Sequence, residues 1–290
     1  MPDSVVSLLG DTLSPPLMPE DTRLTLAARH DAARAVLDEH PNDPEALIWL
    51  GRRTAYLGEY RAALAHFSDG IARWPEDVRF YRHRGHRLIT LRSFAEAERD
   101  LEMAAELIAG RADEVEPDGQ PNARNTPTST LHFNIWYHLG LVRVLIGEFD
   151  RALDAYRSCL AVSGNPDALV ATSYWSVMTL RRLGRDAEAA ALLARITPEM
   201  DVIQDGAYHR LLLLFQGVGT PQSLLDAPEN SNATLHDATI GYGIGVWRLT
   251  NGRPEEAARC FRRVYAGPQW AAFGFIAAEA ELARFAGVTG

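Results

Sequence analysis

The residues best placed to do chemistry crowd into one short stretch, Arg82-His83-Arg84-Gly85-His86-Arg87. His83 and His86 lie three apart and share one face of a helix, and His138 recurs at the place equivalent to His83 in a later segment. Imidazoles so arranged can hold a transition metal, with Glu116 or Asp118 as a fourth ligand. The neighbouring arginines favour a plainer role, because their charge keeps the histidines neutral and neutral histidines in polar surroundings mostly hydrogen-bond. The chain has no phosphate-cradling glycine loop, no GxSxG elbow, no HExxH and no cysteine near a histidine. No catalytic residue and no cofactor is therefore assigned. The trio His83, His86 and His138 stands as an alternative metal site.

These residues must be positioned by helices. From Pro44 to Pro75 the small and apolar residues Leu47, Leu50, Gly51, Tyr60, Ala63 and Phe67 mark two helical faces separated by a turn at Gly58. The same pattern returns 34 residues later, with Tyr81, Gly85, Leu88, Phe94, Ala97, Leu101 and Ala104 in the places of Leu47, Gly51, Thr54, Tyr60, Ala63, Phe67 and Gly70. Trp136, Leu139, Gly140, Gly147, Phe149, Ala152 and Tyr156 repeat it a third time, but 21 residues late. The segment 110–131 is therefore an insert, rich in Pro, Gly and Asn and acidic at its start. Weaker copies follow. A single helix hairpin cannot bury its own apolar face, so the units must stack.

At this spacing the hairpins resemble the tetratricopeptide repeat, strongly in the first three units and over about 45–265 in all. The head GDTLSPP and the insert EPDGQPN also resemble segments of a group of bacterial tetratricopeptide proteins. The resemblance implies an all-α, right-handed α–α superhelix of about six hairpins with capping helices. The expected organisation is an extended arm over 1–20 and a single solenoid over 21–290. Within it fall a capping helix at 21–40, repeats at 44–77, 78–110, 133–166, 170–203, 205–226 and 238–266, and a capping helix at 270–286. The polar stretch 226–236 reads as a linker, and its Asn232 sequon has meaning only in a secreted protein.

Composition narrows the functions open to such a scaffold. With 47% hydrophobic residues the chain can bury a sizeable core, and a net charge of -9 with pI near 5.5 argues against sequence-independent nucleic-acid binding. Cys159 and Cys260 fall in second helices, which fits free thiols. The first twenty residues lack a basic start and a long apolar run, and no run elsewhere reaches membrane-spanning length. A cytoplasmic protein without membrane attachment is expected.

In the family, the side of each first helix opposite the signature residues resembles the concave binding surface. Over four units that side carries Arg52, Arg79, Arg82, Arg181 and Arg182 with His83, His86 and His138, against one acid, Glu45. Arginine forks bind carboxylates and aromatic rings supply rigid area. A non-enzymatic scaffold is expected, holding an extended, acidic peptide or protein segment through Arg52, Arg82, His86, Asn134, Tyr137, Tyr174 and Arg181. The competing expectation is that these long cations are solvated or paired with neighbouring helices. The pattern does not match the carboxylate clamp of chaperone-binding tetratricopeptide domains, whose positions hold Ile48, Arg52, His83, Asn134 and His138 here.

The occupant of the groove is a partner, or the chain's own insert or arm. Glu116, Asp118 and Asn122 are the insert residues expected to make contact, unless the insert is a mobile loop. Two further readings remain open: a small-molecule or metal site beneath the insert, and an assembly module acting through the terminal helices.

Overall fold

The computed structural model describes residues 3–15, 18–225 and 233–287, with side chains omitted over 233–236. The sequon at Asn232, most of the expected linker and residues Pro16 and Leu17 lie outside the described residues. Fourteen helices follow one another in antiparallel pairs, each packed on its neighbours in sequence. A capping helix α1 (Glu20–Glu39) leads into the pairs α2 (Pro44–Tyr56) with α3 (Tyr60–Arg73), and α4 (Val78–Thr90) with α5 (Phe94–Leu107). Next come α6 (Leu131–Ile146) with α7 (Phe149–Ala161), and α8 (Pro166–Arg182) with the short α9 (Asp186–Leu193). The abbreviated α10 (Gly206–Phe215) and α11 (Pro221–Leu225) precede α12 (Ala233–Thr250) with α13 (Pro254–Tyr265), and α14 (Phe273–Phe285) ends the series.

Local chemistry explains the boundaries. The Asp43 carboxylate accepts from the Glu45 backbone N–H and Pro44 occupies the first turn, which starts α2. Asp77, Thr130 and Asn165 cap α4, α6 and α8 through their side chains in the same way. Four of the hairpins then close on a glycine under a bulky side chain. A Cβ built on Gly51 would lie 2.5 Å from the Phe67 ring, one on Gly140 2.3 Å from Tyr156, and one on Gly245 2.3 Å from Phe261. Those rings are fully buried.

The stack does not end as an open spiral. Where an extended arm is expected, β1 (Val5–Val6) and β2 (Thr12–Leu13) form an antiparallel hairpin whose turn is held by Ser7 Oγ, which accepts from the Leu9 and Asp11 N–H groups. That hairpin joins the two ends of the solenoid. Asp3 pairs with Arg61 at the start of α3, while the Leu8 N–H donates to Glu279 of α14 at 2.7 Å and Tyr265 donates to Asp11 at 2.6 Å. Helix α14 turns inward against α6, α12 and α13. Its two acids are buried on cations: Glu279 pairs with Arg92 in the turn between α4 and α5 at 2.6 Å, and Glu281 pairs with Arg182 at the end of α8 at 2.5 Å and with its own neighbour Arg284 at 2.8 Å. The Arg284 guanidinium also donates to the Val144 and Leu145 carbonyls that close α6.

Arg92 and Glu279 are 4% and 0% exposed, so each is tolerable there only because of the other. Glu279→Leu or Arg92→Met alone is expected to lower unfolding stability by about 3–5 kcal/mol in urea titrations, because an unpaired charge stays buried. The double replacement should recover much of that loss.

Candidate functional site

The insert is pinned at its base and laid across the mouth of the hollow. Val115 and Thr130 form an antiparallel bridge, the Glu116 N–H donates to Ser129 O, and the Leu131 N–H donates to Glu114 O. Asn134 Nδ2 reaches Ser129 Oγ at 3.0 Å and Asn165 Nδ2 reaches Thr128 O at 2.9 Å. At the tip, Arg52 and Arg53 donate to the Pro117 and Gly119 carbonyls, both at 2.7 Å. Gly119 is pressed so close to Tyr56 that a Cβ there would meet the phenol oxygen at 1.7 Å, so no larger residue fits. Asn122 turns the loop on itself, donating to Thr126 O and accepting from the Arg124 and Thr126 N–H groups. Among the described residues its hydrogen bonds stay within the insert and none crosses the groove. Arg124 reaches Asp201 beyond α9, so the loop spans from α2 to the loop that leads into α10.

Beneath the strap lies a compact cluster of charge. Arg82 on α4, only 7% exposed at its side chain, sits 2.8 Å by its Nε from the Glu116 carboxylate. Neither of those two atoms has an aligned hydrogen bond, so the pair is held mainly by charge. Arg82 Nη1 lies 3.4 Å from His83 Nδ1 and 3.3 Å from His86 Nδ1. A guanidinium can only donate, so both imidazoles accept at Nδ1 and carry their proton on Nε2. His138 is the reverse. Its Nδ1 faces the Asn134 carbonyl at 2.5 Å and must carry the proton. Burial pushes all three histidines far below their usual pKa, reinforced by Arg82 and, at His83, His86 and His138 alike, Arg87, and they are neutral.

This arrangement corrects the metal alternative. Among the described residues no three of His, Cys, Asp and Glu converge as a metal site requires. At His83 and His86 the Nδ1 lone pairs are directed at a cation, and at His138 Nδ1 is spent on its own helix. A second cation would be repelled.

The cluster encloses a recess of about 100 Å³ lined by Arg52, Tyr56, Arg82, His83, His86, Arg87 and Glu116, among others. It adjoins an outer cleft of about 260 Å³ that shares Arg52, Tyr56, Arg82 and Glu116 and adds Asp118, Ser129 and Asn134. Arg87 was not among the residues expected at the site. It faces the Tyr60 ring at 5.6 Å and makes no ion pair or side-chain hydrogen bond among the described residues. Burial pushes its pKa down, and the Arg82 and Arg52 charges push the same way. The available signal was its separation of four residues from His83, which places the two on one helical side.

The other expected contacts are elsewhere. Tyr137 and Tyr174 are 6% and 1% exposed and belong to an aromatic core: Trp175 Nε1 donates to the Tyr137 hydroxyl at 2.7 Å, and Tyr174 stacks on Tyr208 with centroids 4.2 Å apart. Phe273 of α14 fills the hollow between them and the histidines, 5.2 Å from the His86 ring and 5.5 Å from that of His138. Arg181 pairs with Asp186 at the start of α9 and does not join Arg52 and Arg82. The seven residues therefore do not line one groove. Arg52, Arg82, His86 and Asn134 come together, and the remaining three do not join them.

Asp205, just before α10, adds a titrating group to the hollow. Burial, and secondarily the Asp167 carboxylate, raise its pKa to about 7. Asp167 itself accepts from the Ile203, Gln204 and Asp205 N–H groups. A carboxylate whose folded-state pKa exceeds its unfolded value holds its proton more tightly when folded, so stability falls as pH rises from about 4 through about 7 and stays low above. Asp205→Asn is expected to raise the melting temperature at pH 8, by about 1–2 kcal/mol of stability after allowance for the partly exposed residue, and the advantage should shrink as the pH falls toward 4.

No family model and no curated protein matches the chain. Solved structures do. A tetratricopeptide repeat protein from Parabacteroides merdae ATCC 43184 superposes with a TM-score of 0.52 at 14% identity, over 88% of this chain and 92% of that one. YrrB, a tetratricopeptide protein with an unusual peptide-binding site, gives 0.46 at 16% identity over 87% and 99% of the two chains. A thermophilic tetratricopeptide protein from Thermus thermophilus gives 0.42 at 24% identity over 66% and 94%. Among the described residues no helix is long and apolar enough to cross a membrane. The likeness to the Parabacteroides protein, together with the paired helices described above, shows that this chain has the tetratricopeptide-repeat fold.

Proposed function

We propose that the protein is a non-enzymatic binding scaffold whose cleft between α2, α4 and the insert receives an acidic segment of a protein partner. The observation that carries this is a surplus of cations. Arg52, Arg82 and Arg87 line the cleft and recess, with Arg53 held on the insert by the Gly119 carbonyl, whereas Glu116 and Asp118 are the acids that face them. Arg52 stacks over the Trp49 ring at 4.3 Å, which holds its guanidinium at the rim. Such a rim suits carboxylates, because arginine offers paired donors in a fixed plane. The contact set is thereby narrowed to Arg52, Arg82, His86 and Asn134 with Arg53 and Tyr56, and the long concave groove drops out because α14 fills it.

Cys159 and the three histidines are tied up. Burial pushes the Cys159 thiol up to about 12, and the three histidines are bound to Arg82 or to a backbone carbonyl. Nothing here stands poised beside a substrate-sized opening as general catalysis needs.

The test is fluorescence anisotropy with a labelled peptide of interspersed Asp, Glu and aromatic residues, beside its Asn/Gln counterpart. The wild type should prefer the acidic peptide, and Arg52→Glu with Arg53→Glu should weaken it by about tenfold, roughly 1.4 kcal/mol. Equal binding of both peptides, or no loss in the variant, would remove acidic-segment recognition.

A further inference from the structure

The recess beneath the cleft has a charge problem that the peptide reading alone leaves open. Three guanidiniums, those of Arg52, Arg82 and Arg87, line a space of about 100 Å³. Its one carboxylate is Glu116, since the histidines are neutral and Asp118 lies in the outer cleft near Arg52. Counted over its own lining, the recess therefore sets three guanidiniums against one carboxylate, in a poorly solvated place where Coulomb energies are several times those in water. One feature shows that these charges are not all satisfied internally: Arg82 rests on Glu116 at 2.8 Å, but Arg87 has neither ion pair nor side-chain hydrogen bond among the described residues.

We infer that the recess is a binding site for a compact doubly charged oxyanion of the phosphate class, held by Arg82, Arg87 and Arg52. The imidazoles of His83 and His86 line the recess but are neutral, so neither adds charge to it. A dianion balances the surplus, which a single carboxylate does not. The volume admits a tetrahedral oxyanion. Glu116 is then the internal competitor: it neutralises Arg82 when the recess is empty and opposes the incoming anion. This deepens the proposal for the cleft above and rests on it, since a phosphoryl group could arrive as free phosphate or as an ester on the bound segment.

The test uses the full chain and inorganic phosphate at pH 8, with ionic strength held constant by chloride. Phosphate should raise the melting temperature and bind in calorimetry, while acetate and chloride at matched ionic strength should not. Arg87→Met should abolish the shift. Arg87→Lys, which preserves charge but loses the planar fork, should weaken it about tenfold if the Met variant is too unstable to assay. Glu116→Gln should tighten phosphate by a similar factor, because it removes the competing anion, whereas a purely structural Glu116 would give no tightening. O-phosphoserine separates the sources: binding like phosphate means that the recess admits an ester, and binding of phosphate alone means that it takes the free ion. A phosphate effect equalled by acetate, or unchanged in the Arg87 variants, or not strengthened by Glu116→Gln, overturns the assignment. Acidic-peptide binding that persists without any phosphate effect would leave the scaffold standing and remove only the recess.

Discussion

The contact on which the molecule depends is a bulky side chain lying on a bare backbone. Phe67 on Gly51, Leu101 on Gly85, Tyr156 on Gly140 and Phe261 on Gly245 each bring two antiparallel helices to a separation that no Cβ would permit. Because the contact recurs, each hairpin presents nearly the same pair of faces to the next, and stacking becomes a matter of repetition. From the fourth hairpin onward the stack is less regular: α9 has eight residues and α11 five, so the repeat loses depth there. Beyond it the chain brings its last helix back inward, onto α12, α13 and α6.

Much of the architecture was legible because glycine and aromatic spacing is a local signal. Gly51, Gly85 and Gly140 with their partners placed three hairpins, and the delay before Gly147 revealed the insert. The return of α14 into the hollow was not legible. The segment 270–286 reads only as a capping helix, and nothing near Glu279 and Glu281 in the chain says that their partners are Arg92 and Arg182. The head was missed for another reason. Strands of two residues are too short to show alternation, and their stability comes from Tyr265 and Glu279, more than 250 residues away.

The site was half legible. Local helical geometry correctly grouped Arg82, His83 and His86, but it assumed that every first helix points its open side into one continuous channel. Phe273 and the aromatic stack of Tyr174 on Tyr208 occupy that channel, so Tyr137 and Tyr174 became core and Arg181 went to a local partner. What survives is a smaller, more enclosed place in which burial governs the electrostatics: the same desolvation that neutralises the histidines cannot neutralise the guanidiniums, which hold their protons too tightly.

Repeat proteins usually change length freely, because one more or one fewer unit alters only its immediate neighbours. That freedom is forfeited here. The head clasps both the first hairpin and the last helices, and Arg92 must find Glu279 across 187 positions of chain. Duplicating or deleting any hairpin would rotate one side of the clasp out of reach of the other, so the number of turns is fixed by the fastening at the ends.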